Sequence, residues 1–129
     1  MSRKNVSTGA PWEPIVGYSR AVRVGPLVQV AGTAAVGLDG RVVAPGNGGE
    51  QARVILGIIE RALAETGARL EHVTRTRIYV TDISQWEAIG RAHGERFASI
   101  RPATTMIEVS KLIDPGMVVE IEAEAWIEG

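Results

Sequence analysis

The chain of 129 residues contains no cysteine and only two histidines, His72 and His93. Without cysteine there is no disulfide framework, no thiolate metal site and no cysteine nucleophile. Two histidines are too few for a His-rich zinc site within one chain, and they leave only two candidate bases for a serine–histidine triad. We therefore expect no metal and no cofactor, and chemistry that depends on carboxylates, hydroxyls and water.

The chain also lacks an excess of charge of either sign. Fourteen basic and fifteen acidic side chains give a net charge of -1 and a pI near 6.1. Because nucleic-acid-binding domains usually carry a basic excess, we expect no nucleic-acid partner. No apolar run approaches the roughly 20 residues that cross a bilayer, and the polar start does not resemble a signal peptide. We expect a cytoplasmic protein with no membrane partner.

The composition that remains is typical of one folded domain spanning residues 1–129, with 45% hydrophobic and 22% charged residues. Residues 1–14 show no periodicity and are predicted to be an irregular lead-in. β-Branched residues then indicate strands at 21–24 and 27–31. Asp39 and Gly40, between two short apolar segments, are typical of a tight hairpin.

Two segments carry apolar residues at helical spacing. The first follows a glycine-rich loop at 44–49 and ends at Gly67, a residue type common at the C-terminal end of helices. The second is predicted to open at Ser84 in a Ser-x-x-Glu capping box and to end before Pro102. Residues 73–81 between these helices are predicted to form a strand.

Two further strands are predicted at 104–109 and 117–128, joined through a turn at 114–116. Alternate residues of the last strand are apolar, and Glu120, Glu122, Glu124 and Trp126 face the other way. The order β-β-β-α-β-α-β-β predicts an α+β fold with one mixed sheet and two helices on one face. The other face is either solvated, with ion pairs from Arg75 and Arg77, or packed on another copy of the chain.

Five blocks of sequence, in order and with similar spacing, resemble the RidA (YjgF) family over residues 14–127. They are residues 14–22, 28–33, 77–82, 101–109 and 119–123. Examples are Val28-Gln29-Val30-Ala31-Gly32-Thr33 and Arg101-Pro102-Ala103-Thr104-Thr105. The resemblance implies a chorismate-mutase-like fold and a homotrimer that binds a small-molecule ligand in clefts between its subunits.

RidA proteins hydrolyse reactive enamines and imines, such as 2-aminoacrylate, to a 2-oxo acid and ammonia. The resemblance therefore implies a hydrolase, or deaminase, acting on an imine, enamine or related C=N compound. Glu120 matches the family glutamate that handles the water, and Tyr18 matches the family tyrosine. Gly32 and Thr33 lie where the family places backbone groups near the ligand.

The sequence departs from the family at Thr104, which replaces the arginine that binds the substrate carboxylate. A neutral hydroxyl does not replace a bidentate guanidinium, so the resemblance points to a branch lacking this arginine and leaves enzymatic activity open. One alternative is a trimer that binds a metabolite without turning it over. Another, disfavoured by the charge balance, is an endoribonuclease that inhibits translation.

Other candidate ligand contacts have simpler structural interpretations. Arg20 and Arg101 are the nearest replacements for the missing guanidinium, but each could be an ordinary surface arginine. Thr105 would join Thr104 in lining the pocket with hydroxyls. His93 lies on the apolar stripe of its helix, where a core histidine with satisfied hydrogen bonds is the commoner outcome. Glu120 could equally be one glutamate of a solvated strand, and Tyr18 a packing residue between subunits.

Overall fold

The computed structural model describes residues 2–128. It contains six strands: β1 (Arg3–Val6), β2 (Ala21–Val24), β3 (Leu27–Ala34), β4 (Val73–Val80), β5 (Ala103–Glu108) and β6 (Val119–Trp126). Its helices are α1 (Trp12–Val16), α2 (Gly48–Thr66) and α3 (Trp86–Phe97). The strands form one mixed sheet in the order β1-β2-β3-β6-β4-β5, which confirms the predicted α+β fold class. No helix within residues 2–128 is long and apolar enough to cross a membrane.

Both long helices cover the same face of the sheet, as the periodicity predicts. The buried stripe of α2 packs against β3 and β6, and α3 packs beside α2. The predicted apolar face of α2 is buried in full: Ala52, Ile55, Leu56, Ile59, Ala62 and Leu63. Asn47 caps the start of α2 by accepting a hydrogen bond from the Glu50 amide, and Gly67 ends it with a φ of +90°.

The predicted irregular lead-in is wrong, because it contains β1 and the start of α1. β1 pairs antiparallel with β2, from Arg3 opposite Val24 to Val6 opposite Ala21. Of its four residues only Val6 is buried, so the segment shows no alternation from which a strand could be predicted. Backbone pairing to the edge of β2 therefore forms this strand.

Two local predictions also need correction. The Asp39–Gly40 turn is present, but its flanking segments form one isolated bridge, Val36 to Val42, and no strand. Ser84 does not open α3; Asp82 caps a short 3₁₀ turn at Ile83–Gln85, and α3 begins after that turn. The predicted turn at Asp39–Gly40 is thus confirmed, whereas the predicted Ser84 capping box is wrong, because Asp82 caps the preceding turn and no side chain caps α3.

The last two strands are not neighbours, although they follow each other in the sequence. β4 lies between them, pairing parallel with β5 and antiparallel with β6. The α3 crossover returns β5 parallel to β4, as a crossover of this length allows. β6 then inserts between β3 and β4 with Val119, Ile121, Ala123 and Ala125 buried against the helices. The predicted alternation of β6 is thus confirmed, and β5 is an edge strand.

Candidate functional site

The sheet face opposite the helices carries charged and apolar groups side by side. Arg77 Nη1 lies 3.2 Å from Glu122 Oε1, and Arg75 Nε lies 3.7 Å from Glu124 Oε1. These are the cross-strand pairs expected from the sequence, and such partly exposed pairs contribute at most about 1 kcal/mol each. Three large apolar side chains on this open face remain 37–50% exposed: Leu27, Ile107 and Trp126.

A β-bulge in β3 shapes one end of this open face. Val30 pairs with Ala123 and Thr33 with Ile121, so Ala31 and Gly32 together stand opposite Glu122. Bulges of this kind re-aim nearby groups and are common beside functional sites. This one brings the backbone of Gly32 against the side chain of Glu120.

At Gly32 the carboxylate of Glu120 occupies the space that a side chain would need. A Cβ at this position would lie 2.6 Å from Glu120 Oε2 and 3.0 Å from Glu120 Cδ. Real Cβ atoms almost never approach so closely, so any larger residue would displace the carboxylate. The backbone of Gly32 and the carboxylate of Glu120 are therefore in direct contact.

Glu120 is partly buried, and its surroundings favour the protonated carboxyl. Burial raises the pKa of Glu120, the Arg20 charge acts in the opposite direction, and the Glu122 charge raises it further. A carboxyl with a raised pKa is a better proton acceptor than an ordinary carboxylate and can return the proton later. This property is what the proposed role of Glu120 requires.

Arg20 lies under the bulge and joins it to Tyr18. Its guanidinium is buried, and Nη1 donates hydrogen bonds to Gly32 O at 2.6 Å and to Thr33 Oγ1 at 3.0 Å. Its Nη2 donates to the Tyr18 hydroxyl at 3.3 Å. The structure thus brings together five residues of the predicted site, which come from β3, β6 and the segment before β2: Tyr18, Arg20, Gly32, Thr33 and Glu120.

His93 and Thr104 belong to a second cluster on the helix side of the sheet. His93 Nε2 lies 2.9 Å from Thr76 Oγ1, which lies 2.8 Å from Thr104 Oγ1. Thr104 donates to Pro102 O, so Thr76 must donate to Thr104, and His93 Nε2–H to Thr76.

This second cluster agrees with a structural role for His93. The imidazole packs on the ring of Phe97 with centroids 4.5 Å apart, and burial lowers its pKa. Thr76 is fully buried and was missed from the sequence, although it occupies an inward position of β4 between apolar neighbours. A polar residue at such a position is the signal that could have identified it.

Thr105 and Arg101 lie apart from both clusters. Thr105 is exposed on the open face of β5, in register with Arg77. Arg101 is exposed just before β5, where its Nε donates to Ala98 O at 3.1 Å. Within one chain, then, neither replacement arginine is a solvent-accessible group beside Glu120: Arg20 is buried under the bulge, and Arg101 lies beyond β4.

A groove of about 430 Å³ crosses the open face next to the five-residue site. Its walls include Tyr18 and Gln29 on one side and Arg77 and Glu122 on the other. Glu122 also accepts a hydrogen bond from the Tyr79 hydroxyl at 3.0 Å, and burial together with that bond raises the pKa of Tyr79. The groove offers a polar ligand both donors and acceptors, and Tyr18 belongs to both the groove and the Glu120 site.

Comparisons with known proteins agree on one family. A family model described as Endoribonuclease L-PSP matches residues 8–127. An uncharacterized protein of Streptomyces coelicolor is 41% identical over 95% of this chain and 91% of its own length. A RutC family protein of Pyrococcus abyssi is 29% identical over 99% of this chain and 100% of its own length.

The solved structures give the same result. The crystal structure of Rv2704 from Mycobacterium tuberculosis, a member of the YjgF/YER057c/UK114 family, matches with a TM-score of 0.89 and 52% identity. The match covers 98% of this chain and 100% of that one.

Proposed function

Since this chain belongs to the Endoribonuclease L-PSP family, the family of the RidA, YjgF and RutC proteins, we propose that it is a small-molecule hydrolase that deaminates imines or enamines. Family membership supports a deaminase or a binding role for a small molecule. The finer assignment depends on Glu120, a partly buried carboxyl with a raised pKa beside the backbone of a bulge. That single arrangement carries the proposal.

In the proposed reaction the carboxylate of Glu120 accepts a proton from water as the water oxygen attacks the C=N carbon. Glu120 then passes this proton to the substrate nitrogen, which gives a neutral carbinolamine. Glu120 next takes the hydroxyl proton of the carbinolamine and returns it to the nitrogen as the C–N bond breaks, so that a carbonyl compound and ammonia leave. An enamine first becomes an imine by taking up a proton at carbon and losing one from nitrogen. One water is consumed for each ammonia released, and Glu120 ends in its starting protonation state. Tyr18 orients the substrate by donating a hydrogen bond. Hydrolysis of a C=N bond that is already reactive needs no metal in this scheme.

We further propose that the working unit is a homotrimer whose clefts lie between subunits. Two features support it. Leu27, Ile107 and Trp126 are large apolar groups on an uncovered sheet face. Thr105 and Arg101 lie on the far side of β4 from the Glu120 site, so only another copy could bring them to it. In such a cleft Thr105 of one subunit, which is exposed on the open face, offers the substrate a hydroxyl instead of a guanidinium.

The experiment that tests the enzyme is ammonia release from freshly generated imines of several amino acids. We expect turnover by the intact protein and its loss in Glu120→Gln, because the amide has the same shape but cannot accept the proton. Glu87→Gln, a change at an exposed glutamate of α3, is the control and should keep full activity. Absence of turnover across the panel, or full activity in Glu120→Gln, would refute the proposed reaction.

Thr104 also favours a second candidate, a trimer that binds a metabolite without converting it. A pocket that lacks the charged clamp for the carboxylate can still hold a neutral ligand through hydroxyl and backbone groups. Thermal denaturation in the presence of candidate metabolites tests this function, because a ligand at about 100 times its Kd adds about 2.7 kcal/mol to the free energy of unfolding. Stabilisation without ammonia release would establish binding alone.

A further inference from the structure

Arg20 is a charged group buried without an ionic partner. Its side chain is buried with the residue 6% exposed, and the ion pairs formed among residues 2–128 do not include it. Burying a cation is costly unless its hydrogen bonds are satisfied by fixed acceptors. The protein supplies such acceptors at one place, the bulge of β3.

The hydrogen bonds of Arg20 account for the shape of that bulge. Both hydrogens of Nη1 are committed, one to Gly32 O and the other to Thr33 Oγ1. Thr33 Oγ1 passes its own hydrogen to Ala31 O at 2.8 Å. Every residue from 31 to 33 is thereby tied to the guanidinium, directly or through one hydroxyl. The Ala31 amide also donates to the backbone carbonyl of Arg20 at 2.9 Å.

The same guanidinium sets the direction of the Tyr18 hydroxyl. A guanidinium has donors only, so the Tyr18 oxygen must accept from Nη2, and the phenolic hydrogen is left to donate elsewhere. The guanidinium carbon lies 5.5 Å from the centre of the Tyr18 ring, which keeps the two groups packed together. Tyr18 is therefore presented to the groove as a hydrogen-bond donor.

We propose that Arg20 is a positioning residue, which holds the bulge against Glu120 and directs the Tyr18 hydroxyl, and that it does not bind the substrate itself. This assignment differs from a role as a replacement for the carboxylate-binding arginine, because three of the five guanidinium hydrogens are engaged by the bulge and Tyr18 and the residue is only 6% exposed. The proposal rests on the proposed function only in treating Glu120 as the reacting group. Its structural consequences exist in the protein without any substrate.

The charged and titratable groups that face Glu120 determine how its pKa should change when Arg20 is removed. Arg20 is the cation, Glu122 on β6 is the second carboxylate, and Tyr79 on β4 pairs directly opposite Glu120. Of these, only Arg20 favours the ionised form of Glu120. Loss of its charge leaves burial and Glu122 acting together, so the pKa of Glu120 must rise.

The test is an NMR titration of carboxyl-labelled, ligand-free protein, comparing the intact chain with Arg20→Gln and Arg20→Lys. In Arg20→Gln we expect the pKa of Glu120 to rise, because the charge that opposes burial and Glu122 is removed. The amide signals of Gly32 and Thr33 should shift as well. Arg20→Lys keeps the charge but not the planar fork, so it should restore the pKa of Glu120 and leave the two amide signals shifted. Arg91→Gln, at an exposed arginine of α3, is the control and should change neither.

The opposite result is also defined. If Arg20 does not hold the bulge, the pKa of Glu120 and the Gly32 amide signal stay unchanged in ligand-free Arg20→Gln, which would overturn the proposal. If Arg20→Gln does not fold, Thr33→Val removes one acceptor while Arg20 stays, and a smaller shift of the Gly32 amide is expected. An unchanged Gly32 signal in Thr33→Val would likewise overturn it. No step uses a substrate, so failure of the proposed reaction does not affect the result.

Discussion

Glu120 and Glu122 are two residues apart on the same strand and the same face, yet their surroundings suit them to different roles. Glu122 accepts hydrogen bonds from Arg77 and from the Tyr79 hydroxyl. Glu120 makes no side-chain hydrogen bond with any of residues 2–128, and it lies against the bulge. Both carboxylate oxygens of Glu120 are therefore available to water or a ligand, whereas Oε1 of Glu122 is engaged by the protein.

The close approach of Gly32 to Glu120 predicts a change in the pKa of Glu120 opposite to the one expected when Arg20 is removed. In Gly32→Ala the new methyl group collides with Glu120 Oε2, so the carboxylate must swing towards solvent. Burial is the main reason for the raised pKa of Glu120, and the pKa should fall towards its ordinary value. Carboxyl NMR titration measures the change.

The matched control is Gly90→Ala, because a Cβ at Gly90 meets nothing within 4 Å. Gly90 lies inside α3, where replacing glycine by alanine should stabilise the protein by up to about 1 kcal/mol without altering the pKa of Glu120. A pKa in Gly32→Ala that remains at the value of the intact chain would show that the close contact does not hold the carboxylate in place.

Among the elements, α2 is tied to two loops by one buried side chain. Gln51 is fully buried; its Nε2 donates to Val43 O, Ala44 O and Gly116 O, and its Oε1 accepts from the Val118 amide. These bonds join the loop before α2 to the turn before β6. The start of β6 and the start of α2 are thereby held in register, and Glu120 follows two residues after Val118.

We predict that Gln51→Ala lowers the free energy of unfolding by about 2–4 kcal/mol, since it removes the partner of the Val118 amide and of the Val43 carbonyl. Chemical denaturation measures the loss. Arg61→Ala, at an exposed position on the same helix, should change the free energy by less than about 0.5 kcal/mol. If both changes lower the free energy of unfolding equally, the hydrogen bonds of Gln51 to the two loops do not stabilise the fold.

The sequence was most informative for elements with strong periodicity. The buried stripe of α2 and the alternation of β6 could both be predicted, since each element buries a complete face. β1 could not, because it buries one side chain, and the position of β5 could not, because sequence order does not determine which strands pair. The residues of the site also divide into those that the sequence could predict and those that it could not. The resemblance supplied Glu120, Tyr18 and Gly32, but the task of Arg20 depends on a bulge whose position only the strand register reveals.

For the molecule as a whole, the proposed trimer gives a prediction about the open face. Trp126 is half exposed opposite Leu27, so an aspartate there would place a charge inside an interface made by this face. We expect Trp126→Asp to form smaller particles than the intact chain in light scattering, with an unchanged far-ultraviolet spectrum. Trp86→Asp, at a tryptophan 58% exposed on the opposite, helical side, should leave the particle size unchanged. An intact chain that is already monomeric would refute the trimer.

The central position of β6 has a consequence for how this molecule is made. The sheet order places β6 between β3 and β4, yet β6 follows the other five strands of residues 2–128 in the sequence and is synthesised after them. Until it emerges, β1-β2-β3 and β4-β5 are two separate ribbons, each with an unpaired edge, and α2 has half of its sheet to pack on. Such long-range closure is slow and leaves apolar edges exposed. The unpaired edges therefore stay open until β6 has been synthesised, and the strand that completes the sheet is also the one that brings Glu120 into the site.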